Sequence, residues 1–373
     1  MRTPKPRILQ AHMLYLDYLA STPVLPEVLV EIERAFKDCY ANPSSTHSLG
    51  LAANETVQAA KEYIADKIGA YPSEIIFTSG ATEANNLAIK GLAFANQNKG
   101  KHIITSAIEH KCVLNICKFL ETKGFTVTYL QPTKQGIITA EAVENSITKD
   151  TILVSIMHVN NELGSINPIQ EIGEVCYERN VLFHSDAAQS FCKLNIDVLD
   201  MNLAAMSVSA HKFGGPKGIG FAYIRDARNC EIEPVIHGAG QQLEIRGGTL
   251  ASPLIAGLHK ATEHFKFDHD ELLTIRNEFL ALLESKRIQF KLNCEHNLVN
   301  VINIQFLNER VSNFLSDSLD ICVSKGSACS SREIKPSYVL TAIGLTSDEA
   351  RNSFRISFFD RSLLTFAMTI HHV

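Results

Sequence analysis

The chain has 373 residues, with 35 Lys and Arg against 40 Asp and Glu and a formal net charge of −5. That balance leaves no basic excess to neutralise phosphates and argues against nucleic acid as the primary partner. A hydrophobic share of 45% with 20% charged residues is that of a packed globule, which excludes disorder and coiled coil, and the length suggests two domains. Nine scattered cysteines without a CxxC point to a reducing compartment. No run reaches the roughly eighteen apolar residues of a membrane span. The basic start MRTPKPRILQAH is followed by no apolar stretch, so residues 1–13 are expected to form a loose tail and the protein to be soluble and cytoplasmic.

Short β-rich runs alternate with helical patterns through about the first 260 residues. The predicted strands are Ile75–Ser79, His102–Ser106, Thr126–Leu130, Thr151–Val159, Val181–His184, Ala205–Ser209 and Gly218–Ile224. Amphipathic helices are predicted at Glu83–Asn98, His110–Lys123, Ala140–Ile147 and Ile169–Arg179. Alternation at this spacing gives an α/β domain, residues 14–253, with a mostly parallel sheet flanked by helices. Beyond it the pattern changes: helices at Leu254–Phe265 and Glu271–Lys286, a strand at Val299–Phe306, a helix at Arg310–Leu319 and a strand at Phe354–Phe358. Residues 254–373 therefore read as a smaller α+β domain.

In open α/β sheets, ligands sit beyond the carboxyl ends of the strands, and four polar clusters fall at such places. Thr78–Glu83 runs from a strand through glycine into a helix, as a phosphate cradle would, or simply as a capped helix start. Phe183–Gln189 puts Asp186 just past an apolar strand, where it either faces a cation such as a protonated pyridine or caps the next helix. In Ser207–Gly218, Lys212 follows a strand beside His211, a setting that suits a Schiff-base amine. In Ser324–Ser331, Cys329 sits among Gly, Ser and Ala, where exposure and nearby Lys325 favour a thiolate. Cys112, Cys117 and Cys176 lie in helical patterns and read as small hydrophobes, and no cysteine–histidine pair has zinc-like spacing.

Together these clusters resemble pyridoxal-phosphate enzymes of the aspartate-aminotransferase fold, and more narrowly the cysteine desulfurases of the NifS/IscS type. The resemblance spans Leu14 to Phe358 and includes Leu16-Asp17-Tyr18, Asn42–His47, Phe77–Gly91, Glu109-His110-Lys111, His158–Gly164, Asp186–Ser190, His211-Lys212 and Gly326–Ser331. It implies that Lys212 carries the cofactor, that Asp186 faces the pyridine nitrogen, and that Gln189 and Asn161 contact the ring. It makes His110 a ring-stacking acid–base group, and gives the phosphate to Ala81, Thr82, Ser209 and His211, with Thr249 from a second subunit of a homodimer. Arg355 would pair with the substrate carboxylate, with Asn42 beside it. Cys329 would take sulfur from L-cysteine as a persulfide, release alanine, and deliver the sulfur to an iron–sulfur scaffold or a tRNA-thiolation relay. No resident metal is implied, although Cys329 could serve as a transient iron–sulfur ligand. A selenocysteine lyase or related transaminase, or a non-catalytic cofactor-binding scaffold, are the alternatives, and Cys329 with intact Lys212, Asp186 and His110 weighs against them.

Two departures from the family pattern carry expectations. In Gly238–Thr249, Ala239 and Ile245 stand where glycine is commoner, so strain is expected there if those positions need positive φ. At the C-terminal end, Phe359-Asp360-Arg361 replaces the usual continuation, and a shortened terminal helix is expected to weaken partner docking more than cofactor chemistry.

Overall fold

A computed structural model describes residues 13–325 and 336–370. The chain forms two compact units, one of residues 21–161 and 165–267, the other of residues 13–20, 162–164 and 268–370. The change of pattern read at residue 254 thus lies at 267/268. Helix Ser252–His264 stays with the larger unit because Ile255, Leu258 and Ala261 are part of its core.

The larger unit is built on a seven-stranded sheet. In sheet order its strands are Ile75–Thr78, Gly220–Ile224, Ala205–Ser209, Leu182–Asp186, Thr151–Ser155, His102–Ser106 and Thr126–Leu130. Only Gly220–Ile224 runs against its neighbours, and the other four pairings are parallel. Successive residues along a strand face opposite sides, and the two cores divide in that rhythm. Phe77, Ile104, Val154, Met206 and Phe221 pack on one side with the helices Ser48–Ile68, Ile169–Glu178 and Ser252–His264. Ile76, Ile103, Leu153, Ala205 and Ala222 pack on the other with the helical run Ala81–Ala95 and the helix Lys111–Glu121. This is the predicted α/β class, with strands buried on both faces.

The smaller unit has an antiparallel sheet in the order Ser353–Ser357, Val301–Phe306, Phe290–Leu292. Helices His269–Ser285 and Ser362–Ile370 pack through Phe279 and Phe366, whose rings stack at 6.0 Å. The chain's first strand, Leu14–Tyr15, belongs here because it pairs in parallel with Ile321–Cys322. Leu16 O then accepts from Ser357 N–H at 2.9 Å, and Ser357 Oγ accepts from Leu19 N–H at 2.9 Å. No helix among the described residues is long and apolar enough to cross a membrane.

Candidate active site

The sheet register gathers the site. Gly220 lies opposite both Thr78 and Ser209, so these two residues end their strands at the same edge. Asp186, Ser155 and Ser106 end the parallel strands that follow. Two glycines permit the closest approach. Gly80 has φ +143°, a conformation that is essentially glycine's own, and a Cβ there would lie 3.3 Å from Ser209 Oγ. A Cβ on Gly220 would meet Val208 O at 2.3 Å and Gly80 Cα at 2.7 Å. The turn before Ala81 therefore lies directly on the sheet edge beside Ser209.

The helix beginning at Ala81 makes its first intrahelical bond from Ala84 N–H to Gly80 O, 3.1 Å. The N–H groups of Ala81, Thr82 and Glu83 precede that bond, as the first donors of any helix do. Glu83 turns back to accept from Ser79 N–H at 2.9 Å and pairs with Arg246 at 2.7 Å. Burial alone would raise this carboxyl, but those bonds outweigh it and hold it below the ordinary carboxylate range.

Lys212 ends a single turn, Ala210–Lys212, directly after the strand Ala205–Ser209. Thr22 braces that turn from both sides: it bonds His211 O through its N–H at 2.9 Å and its hydroxyl at 3.0 Å, and accepts from Gly214 N–H at 2.7 Å. Burial, with Lys212, Lys217 and Lys193 adding to it, pushes His211 down to about 4, so it is neutral at pH 7. Lys193, unlike half-buried Lys212, is buried, and it is pushed to about 7 by burial and then by Lys212. Its Nζ donates to Gln189 Oε1 at 3.4 Å.

Asp186 is buried, and both of its oxygens accept N–H bonds, Oδ2 from Asn85 Nδ2 at 2.7 Å and Oδ1 from Ala188 N at 2.9 Å. Those donors are neutral, so the charge itself calls for a cationic neighbour. His110 caps the helix Lys111–Glu121, its Nδ1 accepting from Cys112 N–H at 3.2 Å. Burial lowers its pKa most, Lys212 and Lys111 lower it further, and Asp186 opposes them. Glu109 beside it is fully buried, accepts from Ser106 Oγ at 2.8 Å and Met157 N at 2.9 Å, and is raised to about 8 by burial. Asn161 is buried on the same unit.

This donor set fits pyridoxal phosphate. A helix start with two hydroxyl side chains, Thr82 and Ser209, suits a phosphate. A buried carboxylate suits a protonated ring nitrogen, and the lysine between them suits an aldehyde. Two further residues, Asn42 and Thr249, line one cleft of about 380 Å³ with Phe36 and Tyr40. Thr249 also borders a smaller cleft with Thr78, Ser79 and Arg246.

In the smaller unit Arg355 is buried in mid-strand and gives Nη2 to Asp17 Oδ1 at 2.6 Å. Its backbone pairs with Ser324, N–H to O at 2.7 Å and O from N–H at 3.2 Å. Cys329 lies outside the described residues.

The strain expected at Ala239 and Ile245 falls elsewhere. Ile245 has φ −74° and is buried in the core, while Gln242, Leu243 and Glu244 have φ of 48°, 60° and 64°. The loop turns there because the Gln242 amide pairs with Phe77, its Oε1 taking the N–H at 2.7 Å and its Nε2 giving to the carbonyl at 2.9 Å. Sequence reasoning also passed over Thr22, Asn85 and Lys193, and read Cys112 as a small hydrophobe although it contacts His110 only two residues away. Thr22 and Asn85 meet His211, Gly214 and Asp186 through contacts distant in sequence. Lys193 carried a local signal, standing four residues after Gln189.

The profile of the class-V aminotransferases matches residues 14–361. The cysteine desulfurase IscS of Rickettsia prowazekii (strain Madrid E) is 44% identical over 92% of this chain and 85% of its own length. A mitochondrial cysteine desulfurase of Candida albicans is also 44% identical, over 92% of this chain and 72% of its own. Among solved structures, one described as SspA in complex with cysteine is 49% identical with a TM-score of 0.85, covering 92% of this chain and 98% of that one. A NifS-like protein is 33% identical with a TM-score of 0.87, covering 96% and 98%. The chain belongs to the class-V aminotransferase family and, within it, to the cysteine desulfurases.

Proposed function

We propose that the larger unit holds pyridoxal phosphate at its sheet edge and that the chain converts L-cysteine to L-alanine, with the sulfur retained on Cys329 as a persulfide. The observation that carries this reading is the meeting, at one edge, of an anion-binding helix start, Lys212 and a buried Asp186 with only neutral donors. When bound, the cofactor supplies a carbonyl carbon that amines join covalently and a ring that accepts an electron pair.

The residues divide the work as follows. The N–H groups of Ala81 and Thr82, the hydroxyls of Thr82 and Ser209, and neutral His211 hold the phosphate, and Thr249 of a second copy completes the shell. Asp186 faces the ring nitrogen, Gln189 and Asn161 orient the ring, and His110 lies over it. Lys212 Nζ holds the cofactor and, once free, takes the proton from the substrate α-carbon. Arg355 pairs with the substrate carboxylate, and Asn42 is a second substrate-binding residue. The Cys329 thiolate attacks the substrate sulfur, the carbon–sulfur bond breaks, and the carbon takes a proton to become the methyl of alanine.

A homodimer is part of this reading. Leu29, Val30, Phe36 and Tyr40 are exposed on and just after the helix Pro26–Asp38, and Phe36 and Tyr40 line the cleft that Asn42 and Thr249 share. Large exposed apolar side chains gathered in one place mark a surface that a partner covers. The retained sulfur then passes to a protein acceptor for iron–sulfur cluster assembly or tRNA thiolation. The test is alanine formed from L-cysteine by the purified protein with a reducing thiol. Formation by the wild type and its loss in Cys329→Ala and Lys212→Ala supports the reading; no alanine from cofactor-loaded wild type would overturn it.

A further inference from the structure

Two side chains outside the assigned site link its two halves. Asn85 and Asp186 are separated by 101 residues, yet Asn85 Nδ2 donates to Asp186 Oδ2 at 2.7 Å. The same nitrogen lies 3.3 Å from Cys112 Sγ, and Cys112 Sγ lies 3.0 Å from His110 Nδ1. The direction of each bond is set by chemistry. A carboxylate only accepts, so the Asn85 nitrogen must face Asp186, and its second hydrogen then points to the sulfur. Asn85 Oδ1 is left buried with no hydrogen-bond partner among the described residues. An orphaned oxygen of this kind is costly, and its retention asks for a reason.

The last link settles the imidazole. Cys112 N–H donates to His110 Nδ1 at 3.2 Å, which an N–H on that nitrogen would oppose. Nδ1 is therefore the acceptor and the ring proton sits on Nε2. The Cys112 thiol, pushed up to about 12 by burial and then by Asp186, keeps its own proton and points it at the same lone pair. We propose that Asn85 and Cys112 are positioning residues, joining Asp186 to His110 through Oδ2, Nδ2, Sγ and Nδ1 and holding the imidazole as its Nε2–H tautomer.

The role rests on the reading of His110 as the acid–base residue over the cofactor, and it narrows that reading. His110 can move a proton only at Nε2, because Nδ1 is sealed by Cys112. The charged groups around it are Asp186, Lys212 and Lys111, with Glu109 and Asp186 facing the thiol and the Thr82 hydroxyl bonded to it. Protonation at Nδ1 would break the helix cap as well as the thiol contact.

The test is nitrogen NMR of the holoenzyme with labelled histidine, His110 being assigned by the signal lost in His110→Gln. We expect a bare Nδ1 and a protonated Nε2 in the resting holoenzyme. In Cys112→Ala and Asn85→Leu the two nitrogen signals of His110 should move toward each other as the tautomers mix, with kcat lower by roughly ten- to a hundredfold and KM unchanged. Cys112→Ser should restore what Cys112→Ala loses. A proton on Nδ1 in the wild type, or unaltered nitrogen signals in both variants, would overturn the proposal. Misfolding of Asn85→Leu would not harm the test, because the wild-type spectrum and Cys112→Ala each decide it. Absence of alanine formation would sink the desulfurase reading while leaving this tautomer measurement standing.

Discussion

The larger unit keeps its candidate cofactor-binding groups at strand ends, whereas the smaller unit keeps Arg355 in mid-strand. At the edge of the large sheet the ladder itself does the positioning: Thr78, Gly220 and Ser209 are neighbours by register, and Gly80 seats the helix start on them. These groups are fixed by backbone hydrogen bonds and need few side-chain partners. Arg355 has no such edge to stand on. It is buried, and Asp17, 338 positions away in sequence, supplies its counter-charge. A backbone-built cradle suits a cofactor that stays in place, while a guanidinium on an ion pair suits a ligand that comes and goes.

The contrast breaks most visibly at the ion pair. Asp17→Asn leaves the buried guanidinium without its counter-charge and should cost about 2–3 kcal/mol, less than a fully enclosed pair because Asp17 is partly exposed. Denaturant unfolding should report that loss, and KM for cysteine should rise more than kcat falls. In the larger unit, Gly80→Ala forces a side chain into φ +143° and should cost about 2 kcal/mol. Its signature is weaker cofactor retention measured by visible absorbance, with KM for cysteine moving less than in Asp17→Asn.

Acid sharpens the picture of the large sheet. His184 is fully buried between Ser155 Oγ at 2.9 Å and Ser207 Oγ at 3.0 Å, and burial pushes it down to about 3. The unfolded chain takes up the proton near 6.5 and the native state does not, so this stability is present above 6.5 and lost as pH falls toward 3. Replacing His184 by Asn should flatten the acid limb by about 1.4 kcal/mol per pH unit within that window. Unfolding measured across pH would show no such change if His184 were protonated in the native state. The smallest effect belongs to the strained loop. Glu244→Gly relieves φ 64° and should stabilise the protein by about 0.5–1 kcal/mol in thermal unfolding.

Periodicity read the sheet well because its strands are short runs rich in apolar and β-branched residues: His102–Ser106, Thr126–Leu130 and Ala205–Ser209 begin and end as expected. The run at Thr151 was read as far as Val159, but the strand stops at Ser155. Beyond it Ile156 and His158 still give backbone N–H bonds to His184 O and Asp186 O, but the regular strand has ended, which hydropathy cannot register. The helices Pro26–Asp38 and Ser48–Ile68 were not read at all, although His47 caps the second through a bond from Gly50 N–H. Residues at strand ends, such as Asp186 and Lys212, were legible because the carboxyl edge of a parallel sheet is where ligands bind. Asn85, Cys112 and Asp17 were not read for their contacts, since their meaning lies in partners that only the folded chain brings near. Cys112 in particular reads as a buried apolar residue of a helix, and only its position two residues after a capping histidine gives it a polar task.

The central claim is that the edge formed by Gly80, Ser209, Lys212 and Asp186 holds the cofactor. The most direct measurement is to reduce the loaded protein with borohydride and find the pyridoxyl group by peptide mass spectrometry. The account predicts it on Lys212, with buried Lys193 unmodified. Attachment at Lys193 or at any lysine away from that edge would contradict it.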